Sequence, residues 1–178
     1  MSQQARSDPV PADKHATAKP PSASASTLVR PMGIGDANTL GFVHGGTVMR
    51  CVDEAAGLAG TRHAGRRVVT AGMDRMNFLH KVFVGELLTC SASVNAVWTT
   101  SMEVGVRVEA ENPMTGERRH TSTAYLTMVA IDSSGEPVGS PPLIIESEIE
   151  QRRQQEAGLR RKNRLGERDE IISARGTG

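Results

Sequence analysis

Between Gly45 and Ala64 the apolar residues Val48, Val52, Ala55 and Ala59 recur at three- and four-residue steps. That spacing stacks side chains on one side of a helix. A second row on the same helix, Gly46, Met49, Asp53, Gly57 and Gly60, is almost free of bulk. Each glycine costs a helix about 1 kcal/mol relative to alanine, so such a row implies that another backbone or a thin ligand lies along it. From residue 67 onward the period shortens. Residues 67 to about 78 are rich in valine and methionine. Two clean alternations follow, first Leu88, Cys90, Ala92, Val94, Ala96 and Trp98, then Met102, Val104, Val106, Val108 and Ala110. A period of two marks strands with one buried face. A fourth β-rich run covers 119–131, and turn residues at 112–117 and at Ser133, Ser134 and Gly135 punctuate the series. One long helix ahead of four long antiparallel strands predicts an α+β domain whose sheet wraps the helix.

The flanks read differently. Residues 1–27 are serine, alanine, proline and glutamine with scattered charge, too poor in apolar surface to offset the entropy of ordering. They are expected to form a disordered arm that is dispensable for chemistry, with folded sequence beginning around 28–32. The folded domain is expected to span 28–142. After Pro141 and Pro142, residues 146 to about 165 are charged and helical in propensity, with acids first and arginines last, in accord with the helix dipole. A charged C-terminal helix is therefore expected within 143–168 and a flexible tail over 169–178.

A chain of 178 residues with 38% hydrophobic residues can bury one core, and because only 3% are aromatic that core must come from valine, leucine, methionine and alanine. A net charge of +1 offers no bulk attraction to nucleic acid or acidic membranes, and neither is expected as a partner. Cys51 and Cys90 sit in apolar patterns and read as small core residues. With His63, His80 and His120 they match no zinc spacing, so no metal is assigned. No apolar run is long enough to span a membrane and the N-terminus lacks an apolar secretory core, which makes the cytoplasm the expected compartment.

The chemistry concentrates in DANTLGFVHGGTVMRCVDEAAGLAG, residues 36–60. Asn38 lies in a polar turn, His44, Gly45 and Gly46 open the helix, and Asp53 stands two turns inside it. Helix starts present unpaired N–H groups at the positive end of a dipole, and glycine lets another molecule approach them. Such donors can hold an oxyanion, and a carboxylate can activate water, so the segment contains what acyl hydrolysis requires. Gly45 and Asp53 are separated by eight helical residues, about 12 Å along the axis. One thioester carbon cannot lie beside both. If both act on one substrate they come from two chains, and an antiparallel pair of such helices makes the homodimer the minimal active unit.

The spacing Asn38–x6–Gly45–x7–Asp53, the run VHGGTVMRCVDEAAG, and TRH, VVTAGMDRMNF, VGELL and the arginine-rich C-terminal helix resemble the hot-dog fold acyl-CoA thioesterases, most closely the cytosolic acyl-CoA hydrolase type. The likeness covers roughly 29–165 and implies a helix wrapped by an antiparallel sheet. It implies fatty acyl-CoA hydrolysis to a free acid and CoA without a separate cofactor, and a trimer of dimers. On its own residues Asp53 reads equally as a solvated carboxylate or a catalytic one; the resemblance makes it the catalytic base. Asn38 alone reads as turn chemistry; the resemblance implies that it positions water or the thioester carbonyl. Gly45 and Gly46 are expected to serve both packing and the oxyanion, and His44 to orient structure or substrate. Arg62, Arg66 and Arg67 read as surface charge, with Arg62 a weak candidate for a CoA phosphate. Thr100 and Ser101 read as turn residues, and by resemblance lie near CoA. The basic helix carrying Arg152, Arg153, Arg160, Arg161 and Arg164 reads as solvated or inter-subunit rather than RNA-binding. Asp53 could act as a general base or as a nucleophile. Two other functions stay open: an acyl-thioester hydratase or dehydratase using His44, and a non-catalytic acyl-CoA sensor, which would have no need of Asn38 or Asp53.

Overall fold

Helix α1 spans Gly45–Ala64, as the spacing predicts, and Gly65 ends it with a left-handed φ of 65° that favours glycine. The computed structural model describes residues 17–176. Around α1 curls one antiparallel sheet of six strands: β1 (Ser26–Pro31), β2 (Arg67–Met73), β3 (Leu87–Val97), β4 (Ser101–Glu111), β5 (Arg118–Ile131) and the short β6 (Pro137–Val138). Their order is β1-β3-β4-β5-β2, with β6 pairing to β5. Strand β2 is thus an edge, hydrogen-bonded on one side to β5 alone.

The even-numbered residues of β3, β4 and β5 face α1, Leu88 to Val94, Met102 to Ala110 and Ala124 to Ala130, and are buried against Val48, Cys51, Val52, Ala55, Ala56 and Ala59. Alternation in the sequence therefore maps directly onto the sheet's two faces. Both cysteines lie in this core, and burial pushes the Cys90 thiol up to about 12. The alternation breaks at Asn95, where a register shift in β3 buries Asn95 and Ala96 in succession, and at a second shift in β5, where Thr121 and Ser122 are both buried.

The outer face of the sheet is polar, and α2 (Glu148–Gly176) lies on it. Glu103, fully buried, receives Arg160 through two hydrogen bonds of 2.7 and 3.1 Å and Asn95 Nδ2 at 3.1 Å. The Arg160 guanidinium also stacks on Tyr125, 3.6 Å from the ring centroid. Burial opposes its charge, yet the hydrogen bonds and charge of Glu103 outweigh that and raise its pKa. Gly105 makes the network possible, since a Cβ there would stand 2.5 Å from Asn95 Nδ2. Arg164 pairs with Asp74 at 2.8 Å and Arg161 lies over Trp98. Along Arg160, Arg161 and Arg164 helix α2 is thus clamped to its own sheet rather than simply solvated.

Three boundaries move. Residues 17–27, expected in the disordered arm, belong to the fold; 1–16 lie outside the described residues. The Lys19 ammonium caps the end of α1 on the His63 and Arg62 carbonyls, Ser26 Oγ donates to Ala55 O, and Pro21 and Ser24 are buried. Short polar side chains anchor this segment one bond at a time, which no apolar periodicity announces. A chain beginning at residue 28 would lose all of these contacts. Strand β2 stops at Met73 rather than near 78, because Asp74 turns its carboxylate to Arg164. Helix α2 runs on through 169–176, expected as flexible tail, past Gly166; 177 and 178 lie outside the described residues.

His63, fully buried near the end of α1, is held by Pro141 O at 2.9 Å and by Ser24 Oγ at 3.4 Å. Burial, helped by the Lys19 charge, lowers its pKa from the ordinary 6.5 against the opposing bond to Pro141. The unfolded chain then takes up a proton that the folded chain resists, so this contribution is complete above about pH 6.5 and declines as pH falls toward the folded value. Melting temperatures measured from pH 7.5 to 5.0 should fall for the wild type and fall less for His63→Gln. Parallel curves would show that His63 does not carry the dependence.

Candidate active site

Two small constellations lie at different heights on α1. The first is at its N-terminus. Asn38 heads a turn in which its N–H bonds Phe42 O at 2.7 Å while its Oδ1 accepts from the N–H groups of Leu40 and Phe42 at 2.9 and 3.2 Å. Those two bonds define which end of the amide is oxygen. Its Nδ2 has no partner among the described residues. Turn chemistry and a free donor therefore coexist in one side chain. Asp36 steadies the turn: its carbonyl takes the His44 N–H at 2.7 Å and its carboxylate pairs with Arg30 at 2.8 Å.

His44 is the N-cap of α1, its Nδ1 accepting from the Gly46 N–H at 2.9 Å. The neutral ring then carries its proton on Nε2. This separates the two glycines that sequence treats alike. The Gly46 amide is spent on the cap, and its lack of a Cβ is required by the ring, since a Cβ would stand 3.0 Å from Nδ1. In this structure the Gly46 amide is therefore engaged by the cap rather than open toward an oxyanion. The Gly45 N–H has no partner among the described residues, so it is the donor the helix start leaves open.

The second constellation is eight residues further along α1, about 12 Å along the axis. Asp53 is exposed there, and Thr70 Oγ1, on the edge strand β2, donates to its Oδ1 at 2.6 Å. One carboxylate oxygen is oriented and the other is left for a reactant. Thr70 escaped the sequence reading because only the packing of β2 against α1 reveals which strand residue meets Asp53; Val68 and Thr70 share that side. Beside the pair, the unbonded edge of β2 and the half-open Met49 leave space where the bulk-free row expects a neighbour.

The remaining candidates lie apart. Arg62 is at the far end of α1 and donates to Ala25 O at 2.8 Å, so it ties down the N-terminal segment and has no place at the helix start. Thr100 and Ser101 form the β3–β4 turn; Ser101 pairs with Val129, which pairs with Val69, two strand spacings or about 10 Å from β2. A groove of about 480 Å³ belongs to neither constellation: it lies on the sheet's outer face beneath the start of α2, lined by Ser91, Asn95, Arg107, Tyr125 and Arg153 among others. Among the described residues no cluster of histidine, cysteine and carboxylates could hold a metal.

The family model described as the thioesterase superfamily matches residues 40–117. A Bacillus subtilis protein named an uncharacterized acyl-CoA thioester hydrolase is 38% identical over 80% of this chain and 84% of its own length. The rat cytosolic acyl coenzyme A thioester hydrolase is 35% identical over 75% of this chain, which spans only 35% of that protein. Among solved structures, an apo-hexameric acyl-CoA thioesterase superposes with a TM-score of 0.82 at 38% identity, covering 85% of this chain and 97% of that one. A Staphylococcus aureus acyl-CoA hydrolase, solved with butyryl coenzyme A and coenzyme A, does so with a TM-score of 0.80 at 31% identity, covering 88% and 95%. Solved variants of the staphylococcal protein carry alanine in place of an asparagine, an aspartate and a threonine. Those positions are separated by fifteen and then seventeen residues, the separations of Asn38, Asp53 and Thr70 here.

Proposed function

Since the chain belongs to the hot-dog thioesterase superfamily, on the branch of the acyl-CoA thioester hydrolases, we propose that it hydrolyses fatty acyl-CoA to a free fatty acid and CoA at a site shared by two subunits. The observation that carries this reading is the split constellation: an open Gly45 amide and Asn38 Nδ2 at one level of α1, and Asp53 held by Thr70 at another. Two copies joined antiparallel along α1, with their β2 edges meeting, bring the donors of one subunit to the carboxylate of the other. The dimer has two such sites, and three dimers assemble as a hexamer.

In the reaction the thioester oxygen accepts hydrogen bonds from Gly45 N–H and Asn38 Nδ2. The Asp53 carboxylate, steadied by Thr70, removes a proton from water as the water oxygen bonds to the thioester carbon. Charge passes to the carbonyl oxygen, where the two donors stabilise it, each worth about 10²–10³ in rate. Collapse breaks the C–S bond and the proton returns to the departing thiolate. In the competing route Asp53 attacks directly and water cleaves the resulting anhydride. Both routes run without a cofactor, CoA being part of the substrate. The β3–β4 turn with Thr100 and Ser101, two strand spacings from β2, is the proposed contact for the more distant CoA moiety. A hydratase would need His44 as a base, and its Nδ1 is committed to Gly46. No helix among the described residues is long and apolar enough to cross a membrane, and we place the reaction in the cytoplasm.

The test is release of thiol. Full-length protein with palmitoyl-CoA and a thiol-detecting reagent should generate CoA in a catalytic, protein-dependent manner, over a low background because Cys51 and Cys90 are buried. Bound palmitoyl-CoA with no thiol released would leave a sensor and defeat the hydrolase reading.

A further inference from the structure

We infer that Phe78 is the specificity residue of the acyl slot, its ring walling the space before the Gly45 amide and rejecting branching at the carbon next to the thioester carbonyl. This rests on the hydrolase reading above. A Cβ built on Gly45 would lie 3.4 Å from Phe78 Cζ and 3.6 Å from Cε2, so the ring edge faces the residue that offers the open N–H, with room for about one methyl group between them. Phe78 nevertheless remains 49% exposed, a large apolar surface facing solvent in the free subunit.

The ring is held at fixed height because its loop is tied at both ends. Upstream, Asp74 N–H bonds Tyr125 O at 2.9 Å and the Asp74 side chain pairs with Arg164. Immediately downstream, Leu79 N–H bonds Thr121 O at 2.8 Å. Further on, Arg119 grips both oxygens of buried Glu86 at 2.7 and 2.6 Å and the Lys81 carbonyl at 2.8 Å. Burial alone would raise the Glu86 pKa, but the bonds from Arg119 and from the Phe83 N–H hold it below its ordinary value, so the clamp stays charged. The loop then runs back alongside the entry to α1, with Val43 N–H on Val82 O at 2.9 Å and Phe42 against Phe83 edge to face. Leu40, Leu79 and Phe83 are also exposed on this stretch. This apolar surface is bordered by cations, with Lys81 Nζ 4.0 Å over the Phe42 ring and Arg119 over Phe83, so hydrocarbon fits beside Phe78 and Leu79 and charge is met only beyond them.

A carbonyl oxygen accepting from Gly45 N–H lies about 3 Å from that nitrogen, which brings the adjoining acyl carbons toward a ring that stands one methyl group from Gly45. A straight chain passes beside the ring. A methyl on the α-carbon meets it.

The experiment compares octanoyl-CoA with 2-methyloctanoyl-CoA, which differ by one methyl at that carbon, on the wild type, Phe78→Ala and Phe78→Leu. A methyl-sized difference in a pocket is worth roughly 10–200-fold in kcat/KM. Wild type should favour the straight chain, and Phe78→Ala should raise the branched-to-straight ratio of kcat/KM by about tenfold or more, with Phe78→Leu in between. A merely structural role would lower both rates and leave their ratio alone. The inference falls if the wild type shows no preference, or if the ratio stays within about twofold in either variant that folds, Phe78→Leu deciding should Phe78→Ala not fold. Hydrolysis of octanoyl-CoA with an unmoved ratio sinks this inference alone, whereas no hydrolysis of either substrate sinks the hydrolase reading with it.

Discussion

Asp53→Ala is expected to lower kcat by at least about 10²-fold, the lower range for a positioned acid–base group, while the oligomer stays folded. Both halves of this expectation come from the position of Asp53. Its carboxylate is exposed on α1 in the single chain and among the described residues bonds only Thr70, so its removal leaves no buried charge behind. Alanine is also the better helix former, so α1 loses nothing by the exchange. The core row of α1, from Val48 to Ala59, is untouched. Thr70→Ala should slow turnover by a smaller factor, because the carboxylate remains and only its orientation is lost. Turnover of palmitoyl-CoA, with circular dichroism and size-exclusion profiles matching the wild type, measures this. Near wild-type turnover from a folded Asp53→Ala would remove Asp53 from the mechanism.

The second large effect is recovery of activity from two inactive proteins. The structure refines the choice of variant at the other end of the site. Asn38→Ala would remove the acceptor of two turn N–H groups together with the donor, whereas Asn38→Asp keeps an oxygen for Leu40 and Phe42 and exchanges the Nδ2 donor for a carboxylate oxygen. Asn38→Asp and Asp53→Ala should each be nearly inactive alone. Unfolded together, mixed in equal amounts and refolded, they should return about a quarter of wild-type activity under random pairing across a two-fold interface. Half of the dimers are mixed, and each mixed dimer has one intact site of two. Sites built within one chain would recover nothing, since every chain carries a lesion. Mixed dimers verified by native mass spectrometry, without activity, would overturn the shared site.

Much of this molecule is legible in its order of residues. The extent of α1 follows from its 3.6-residue period, and the alternation in β3 and β4 identifies the face that meets α1 before any coordinate is known. These features are local, each being set by neighbours within a turn or a strand pair. The sparse row around Asp53 is likewise visible, as is the turn at Asn38. The first folded residues were not legible, because Lys19, Ser24 and Ser26 are held by polar side-chain bonds to the body and C-terminal turn of α1 rather than by apolar spacing. Nor was the docking of α2, which depends on Arg160 finding a buried Glu103 fifty-seven positions away rather than on an apolar stripe.

The sequence by itself determined α1, the long strands with the buried faces of β3 and β4, the charged C-terminal helix and the residue types available for chemistry, because periodicity acts over a few residues. Strands β1 and β6 were left unread. Which donors remain free was decided only by the tertiary structure. Gly45 and Gly46 are indistinguishable as letters, yet the reach of one imidazole consumes one amide and leaves the other open. Arg62 became a tether and Thr70 a partner of Asp53 for the same reason. A hydrogen bond is satisfied by whatever group the fold brings within about 3 Å, and that depends on strand register and on the path of loops between distant segments.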